Sequence, residues 1–312
     1  MRYYISAMKC TLCPRECNVD RALKKGVCRT DNLMISRVSK HMWEEPCISG
    51  EKGSGTVFFA GCNLHCKFCQ NYDISVAPHG AEVSVEQLAD IMLYLQDTGV
   101  ANINLVTPSH FADRIAQALE EVKHKLRIPV VYNTSSYEKP EVIRRFEGLV
   151  DVYLPDIKFR DRLVSQRYTG VCDYFEVACR AVKEMRRQQP SDVFDADGYM
   201  ARGVIVRHLV LPANVEDSKR ILDWIAGFDK TMYVSLMSQY FVAREVDGCP
   251  ELNRKLYRHE YESAVQYFAN VGLTNGYCQE FESATRDYLP SFADVEVEQL
   301  LDKILKKGLN EK

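Results

Sequence analysis

From residue 55 onward, six short apolar runs alternate with amphipathic stretches, and this alternation leaves few folds open. The runs are Thr56–Ala60, Ala101–Val106, Pro129–Asn133, Val150–Leu154, Gly203–Leu211 and Met232–Met237. They are continuous rather than alternating in polarity, as expected of parallel strands buried on both faces. Stretches at 84–97, 111–125, 139–147, 171–188 and 216–227 separate them with helical periodicity, and 251–270 follows the sixth run. In the first helix Ser84 and Gln87 form a capping box, and Val83 and Leu88 are placed as a hydrophobic staple. Leu88, Ile91, Met92 and Leu95 build one apolar stripe that Gly99 stops. Six β/α units in succession predict a parallel α/β fold. A doubly wound open sheet competes with a barrel, complete or partial, whose strand ends would gather at one mouth. The segment 192–200, with Asp195-Ala196-Asp197-Gly198, predicts a turn or small hairpin before the fifth run.

The chain has 312 residues, 46% of them hydrophobic and 27% charged, which is enough for a sizeable core. The net charge of −3 argues against nucleic acid or an anionic membrane as a partner. No apolar run approaches membrane-spanning length, and Met1-Arg2-Tyr3-Tyr4-Ile5 lacks a signal-peptide core, so a cytoplasmic location is expected. Eight of the twelve cysteines lie within the first 69 residues. In a reducing compartment such clustering points to metal or redox chemistry rather than disulfides. The expected organisation is a cysteine-rich metal-binding segment and connector at 1–50, the β/α units at 51–275 and a helical extension at 276–312.

Directly after the first run comes Gly61-Cys62-Asn63-Leu64-His65-Cys66-Lys67-Phe68-Cys69-Gln70-Asn71. Cys62, Cys66 and Cys69, spaced C-x3-C-x2-C, are the right donors for three corners of a [4Fe–4S] cluster and leave the fourth iron open. A zinc knuckle completed by His65, or buried free thiols, are the alternatives.

At these residues the sequence resembles the radical S-adenosylmethionine (radical SAM) superfamily, whose signature is C-x3-C-x-aromatic-C after the first strand of a partial (β/α)6 barrel. Phe68 is the aromatic here. The longer string resembles the branch that contains the pyruvate formate-lyase activating enzymes and relatives with an N-terminal cysteine motif. The resemblance implies a partial (β/α)6 radical SAM barrel. It further implies that the amine and carboxylate of SAM chelate the open iron. One electron then cleaves the sulfonium, and the resulting 5′-deoxyadenosyl radical takes a hydrogen atom from the substrate. A flavodoxin- or ferredoxin-type reductant and anaerobic conditions are implied with it.

The ends of the later runs supply further candidates. The second ends in Thr107-Pro108-Ser109-His110, where many relatives carry Gly-Gly-Glu to bind the SAM amine; Thr107 and its backbone are the substitute, or a plain helix start. The third ends in Tyr132-Asn133-Thr134-Ser135-Ser136, which suits a ligand-facing rim or an ordinary loop. In Asp156-Ile157-Lys158 the two charges face one way and suit an amino-acid moiety. The activating enzymes have a similar Asp-x-Lys near SAM; a rim salt bridge is the plainer reading. Gly203-Val204-Ile205-Val206-Arg207 resembles the superfamily's Gly-x-Ile-x-Gly element beside adenine, with Ile205 as the adenine contact and Arg207 as an added charge. His208, on the opposite face, reads as a buried structural histidine. Gln239 and Tyr240 are placed to line the substrate mouth, with Met237 shared between mouth and core.

Cys10, Cys13, Cys17 and Cys28 fall within nineteen residues and imply a second metal centre. Zinc as a structural staple is weighed ahead of an auxiliary [4Fe–4S] cluster. Cys47, Cys172 and Cys179 read as packed thiols. The leading function is therefore a radical SAM oxidoreductase acting on a protein, peptide or small molecule, with activation of a glycyl-radical enzyme as one version. A non-catalytic iron–sulfur protein for electron transfer or redox sensing is the alternative.

Overall fold

The computed structural model describes residues 9–281 and 296–310; the N-terminal residues read above for a signal peptide lie outside them. Among the described residues, ten strands form one sheet: β1 Met34–His41, β2 Ser54–Phe59, β3 Ala81–Glu82, β4 Asn102–Val106, β5 Val130–Thr134, β6 Val152–Pro155, β7 Val193–Phe194, β8 Met200–Leu209, β9 Tyr233–Met237 and β10 Gly276–Cys278. The order is β10-β9-β8-β6-β5-β4-β2-β1-β3, with β7 paired to β8. The six expected strands are thus β2, β4, β5, β6, β8 and β9, all parallel and in chain order. A doubly wound sheet would reverse its order part-way; this one does not, and it remains open as a partial barrel.

Two apolar layers follow from the period-2 geometry of the strands. Outward residues such as Ile103, Leu105, Tyr132, Tyr153, Val204, Val206 and Leu236 pack with helix residues Leu88, Ile91, Ile115, Leu119, Val182 and Ile221. Inward residues Val131, Val152, Leu154 and Ile205 pack instead against Cys47 and Ile48. The connector between β1 and β2 therefore runs inside the barrel and fills its floor. It is held there by the Asn102 amide, which donates to the Ile48 carbonyl at 2.7 Å.

The first helix, Val85–Asp97, carries the expected capping box: Gln87 N–H donates to Ser84 Oγ at 3.1 Å, and Ser84 N–H to Gln87 Oε1 at 2.8 Å. The expected hairpin is β7 against β8. The segment 1–50 is not purely cysteine-rich turns, because β1 pairs antiparallel with β2 and belongs to the sheet. Likewise the extension after 275 begins with a strand, β10, which adds parallel to β9. Helix Glu296–Asn310 packs Val297, Leu301 and Ile304 on the outer layer. Cys179 is buried as expected, whereas Cys172 precedes its helix, Tyr174–Gln188, and is exposed. Among the described residues, no helix is long and apolar enough to cross a membrane.

Candidate active site

The loop after β2 turns at Gly61 (φ +83°) and carries Cys62, Cys66 and Cys69 into a cavity of about 230 Å³ at the mouth of the barrel. Local bonds fix the loop. Gly61 N–H donates to the Ile74 carbonyl at 2.7 Å, Lys67 N–H to Tyr168 at 2.9 Å, and the Asn63 amide to Tyr137 at 2.8 Å. Leu64 N–H and the Ser75 hydroxyl donate to the Cys62 and Cys69 sulfurs, each at 3.4 Å. Phe68 anchors the loop, meeting Phe159, Tyr168 and Tyr240 at centroid distances of 5.9, 6.1 and 6.3 Å. Such contacts favour edge-to-face geometry, which the first two adopt. Phe68 thus touches the cavity with its rim while its ring positions the cysteines.

The same cavity is lined by charge. Asp156 and Lys158 do point the same way, and Lys158 Nζ donates to Asp156 Oδ2 at 2.6 Å. Arg207 Nε donates to Asp156 Oδ1 at 2.9 Å, Nη1 to Glu44 Oε2 at 3.0 Å, and Nη2 to Asn133 Oδ1 at 2.5 Å. Glu44 also accepts from Asn104 at 2.9 Å. Burial alone would raise the Asp156 carboxyl, but the Arg207 and Lys158 charges outweigh it and hold it below its ordinary value. Burial opposes the charge on Lys158 too, yet Asp156 and Cys66 raise its pKa. For Glu44 burial wins over Arg207 and the Asn104 bond, so its carboxyl is raised. Burial likewise pushes up the Cys62 and Cys66 thiols, so any metal there must displace protons.

Most of the expected site residues therefore meet in one place: Cys62, Cys66, Cys69, Phe68, Thr107, Asp156, Lys158, Arg207 and Gln239 all line the cavity. Two do not. Ile205 faces inward as Arg207 does, but it lies two residues deeper, where Cys47 and Ile48 cover it. Tyr240 is 1% exposed, packs behind Phe68 and donates its hydroxyl to the Leu252 carbonyl at 2.6 Å. His208 is the buried structural histidine expected, bonded to the Ile157 carbonyl at 2.6 Å and to Ser218 Oγ at 2.8 Å. Thr107 holds φ +60°, a left-handed conformation that is a true outlier for a β-branched residue. The backbone at the end of β4 thus keeps a glycine-like shape without glycine. Glu44 was not foreseen, since it sits in a connector without periodicity. The available signal was Arg207 itself, a charge inside an apolar strand that demands buried partners.

The donor set fits an iron–sulfur cluster. Three thiols, and among the described residues no fourth, line the cavity, so a [4Fe–4S] cluster there keeps one iron unligated by protein. Among the described residues no three His, Cys, Asp or Glu side chains stand at single-ion spacing. A cluster makes no such demand, because each thiolate takes a different iron. The Lys158 and Arg207 cations suit the carboxylate of SAM.

Comparison with known proteins agrees with this geometry. The family model described as the radical SAM superfamily matches residues 56–225. "Uncharacterized protein MJ0674" of Methanocaldococcus jannaschii is 30% identical over 274 residues, 85% of this chain and 75% of that protein. Streptococcus suis SuiB bound to S-adenosylmethionine superposes with a TM-score of 0.48 at 15% identity, over 74% of this chain and 51% of SuiB; the chain thus spans about half of that relative. A domain of pyruvate-formate lyase-activating enzyme from Bacteroides vulgatus gives 0.37 at 14% identity, over 55% of this chain and 92% of that one. On the match to its family model, which covers the cysteine loop and five of the six parallel strands, the chain belongs to the radical SAM superfamily.

Proposed function

We propose that this chain is a radical SAM oxidoreductase in which Cys62, Cys66 and Cys69 hold a [4Fe–4S] cluster and Asp156, Lys158 and Arg207 receive SAM. The observation that carries this reading is the shared cavity: the triad's thiols and the Asp156–Lys158–Arg207 set line one space. When bound, the reduced cluster supplies the electron that splits SAM into methionine and a 5′-deoxyadenosyl radical, which takes a hydrogen atom from the substrate.

The protein's own residues position and shield. Lys158 carries three donors, of which one goes to Asp156; the ammonium faces the cavity and is placed to bind a carboxylate. Arg207 is locked through all three nitrogens, so it acts as a fixed positive charge rather than a mobile clamp. Thr107 presents the end of β4 where an amine would sit. Phe68, Leu209, Met237 and Phe241 supply apolar lining that excludes water from reactive species. The substrate, on this reading, is a protein, peptide or small molecule approaching past Gln239, with a flavodoxin- or ferredoxin-type protein as reductant.

The test is 5′-deoxyadenosine formation by anaerobically reconstituted, dithionite-reduced protein given SAM. Production is expected from the unmutated chain and is expected to fall to background in Cys62→Ala, Cys66→Ala and Cys69→Ala. Cluster-replete protein that never forms it would instead be an electron-transfer or redox-sensing protein. Activation of a glycyl-radical enzyme is read separately, as a glycyl-radical EPR doublet on a candidate partner; no doublet on any such partner of the host removes that version.

A further inference from the structure

Residues 9–32 form a defined structure with almost no core. Only Cys13, Cys28 and Thr30 among them are buried, and the aliphatic side chains Leu23 and Val27 are exposed by 85% and 38%. Yet the backbone is specific. Cys10 N–H donates to the Val19 carbonyl at 2.8 Å, Asn18 N–H to Cys10 at 3.0 Å and Arg29 N–H to Gly26 at 2.9 Å. Glu16, Asn18 and Arg29 are held left-handed at φ 39°, 53° and 65°. Leu12 alone packs, partly buried, on the main core, and a stretch of this size with so little aliphatic burial calls for a cross-link to hold such a shape. Disulfides do not supply it, because all four of its cysteines are free.

The four thiols gather. A Cβ on Gly26 would lie 3.3 Å from Cys17 Sγ and 3.4 Å from Cys28 Sγ, so these two flank the same backbone turn. Cys10 is within hydrogen-bonding reach of Cys17, and Cys13 is within electrostatic range of Cys10 and Cys28. The Thr30 hydroxyl donates to Cys28 Sγ at 3.4 Å.

The same segment grips the loop of Cys62, Cys66 and Cys69. Arg15 donates to the carbonyls of Asn63 at 2.7 Å and Leu64 at 3.0 Å, both between Cys62 and Cys66, and to Thr169 at 3.1 Å. Arg29 donates to the Val76 carbonyl at 2.5 Å and Arg21 to the His110 carbonyl at 2.6 Å. The Cys28 carbonyl sits so close to Gly61 that a Cβ there would be 2.4 Å away.

We propose that Cys10, Cys13, Cys17 and Cys28 hold an iron–sulfur cluster, each thiolate on a different iron, that keeps Arg15 and the Cys28 carbonyl pressed on the catalytic cysteine loop. The centre is a structural clamp. Only its consequence for the loop's cofactor rests on the radical SAM reading; the metal itself does not.

The experiment compares the anaerobically prepared full-length chain with three variants: a fourfold Cys10→Ser, Cys13→Ser, Cys17→Ser, Cys28→Ser protein, a threefold Cys62→Ala, Cys66→Ala, Cys69→Ala protein, and Arg15→Gln. Zinc, iron and sulfide are counted per chain, and native mass spectrometry reads the unmutated protein directly, so the result survives if the fourfold variant fails to fold. The triad variant is expected to keep about four irons with matching sulfide; one zinc per chain and no iron would overturn the cluster. A metal-free triad variant whose N-terminal thiols all react with a thiol reagent overturns the site. Arg15→Gln is expected to keep the N-terminal metal while amides of 61–71 exchange roughly tenfold faster; exchange equal to that of the unmutated chain overturns the clamp. Failure of SAM cleavage with the N-terminal metal present would count against the proposed function alone.

Discussion

Arg207 is a guanidinium in an otherwise apolar strand, and each of its three nitrogens is bound to a different side chain: Asp156, Glu44 and Asn133. Breaking a buried pair by removing one partner leaves the other charged and unsatisfied, which costs more than the pair contributes. Arg207→Met is therefore expected to lower unfolding free energy by about 3 kcal/mol and to weaken SAM binding. Adding Glu44→Gln removes one stranded charge and should recover part of the stability but not the binding. Urea unfolding and equilibrium dialysis with SAM check both; strictly additive losses would contradict this account. The residue's importance was legible from its position in the sequence. Its full partner set was not, because Glu44 reaches it from a segment 163 residues away.

The ends of β4 and β5 are tied by Glu138. Its Oε1 accepts from Ser109 Oγ at 2.5 Å, Thr134 Oγ1 at 2.7 Å and Tyr132 OH at 3.3 Å. Burial pushes this carboxyl up to about 7, outweighing those three bonds. The folded state thus favours the protonated form, while the unfolded chain titrates near 4.5. Stability from this group is complete below pH 4.5 and is lost as pH rises through 7. Relative to Glu138→Gln, the native chain should lose about 3 kcal/mol between pH 4.5 and 7.5, read from urea midpoints at a series of pH values. A difference that stays flat with pH would place the carboxyl's pKa at its ordinary value. Elements with periodicity, such as the helix begun by Ser84, could be read from the sequence to within a residue or two. Short strands such as β3 and β10 could not, because two or three residues carry no period.

Across the whole molecule, the partial barrel is filled by a segment from outside its β/α units. Ile48 is 1% exposed on the barrel floor. Ile48→Ala should cost about 2–5 kcal/mol by chemical denaturation, and a cost below about 1 kcal/mol would show that the floor can collapse without it. Ile205 lies outside the cavity lining for this reason: strand parity turns it inward, but parity says nothing of what else occupies the lumen. The same residues that supply Glu44 to the site and Cys47 and Ile48 to the floor also impose an order on assembly. The connector at 42–50 leaves the ribosome before any parallel strand, yet its inner contacts include Val152, Ile205 and Tyr233. The floor cannot close until synthesis has passed β9, and these sequence-distant pairings are the slow kind. A piece made early is thus enclosed late, so the nascent chain carries its own plug unburied through most of its translation.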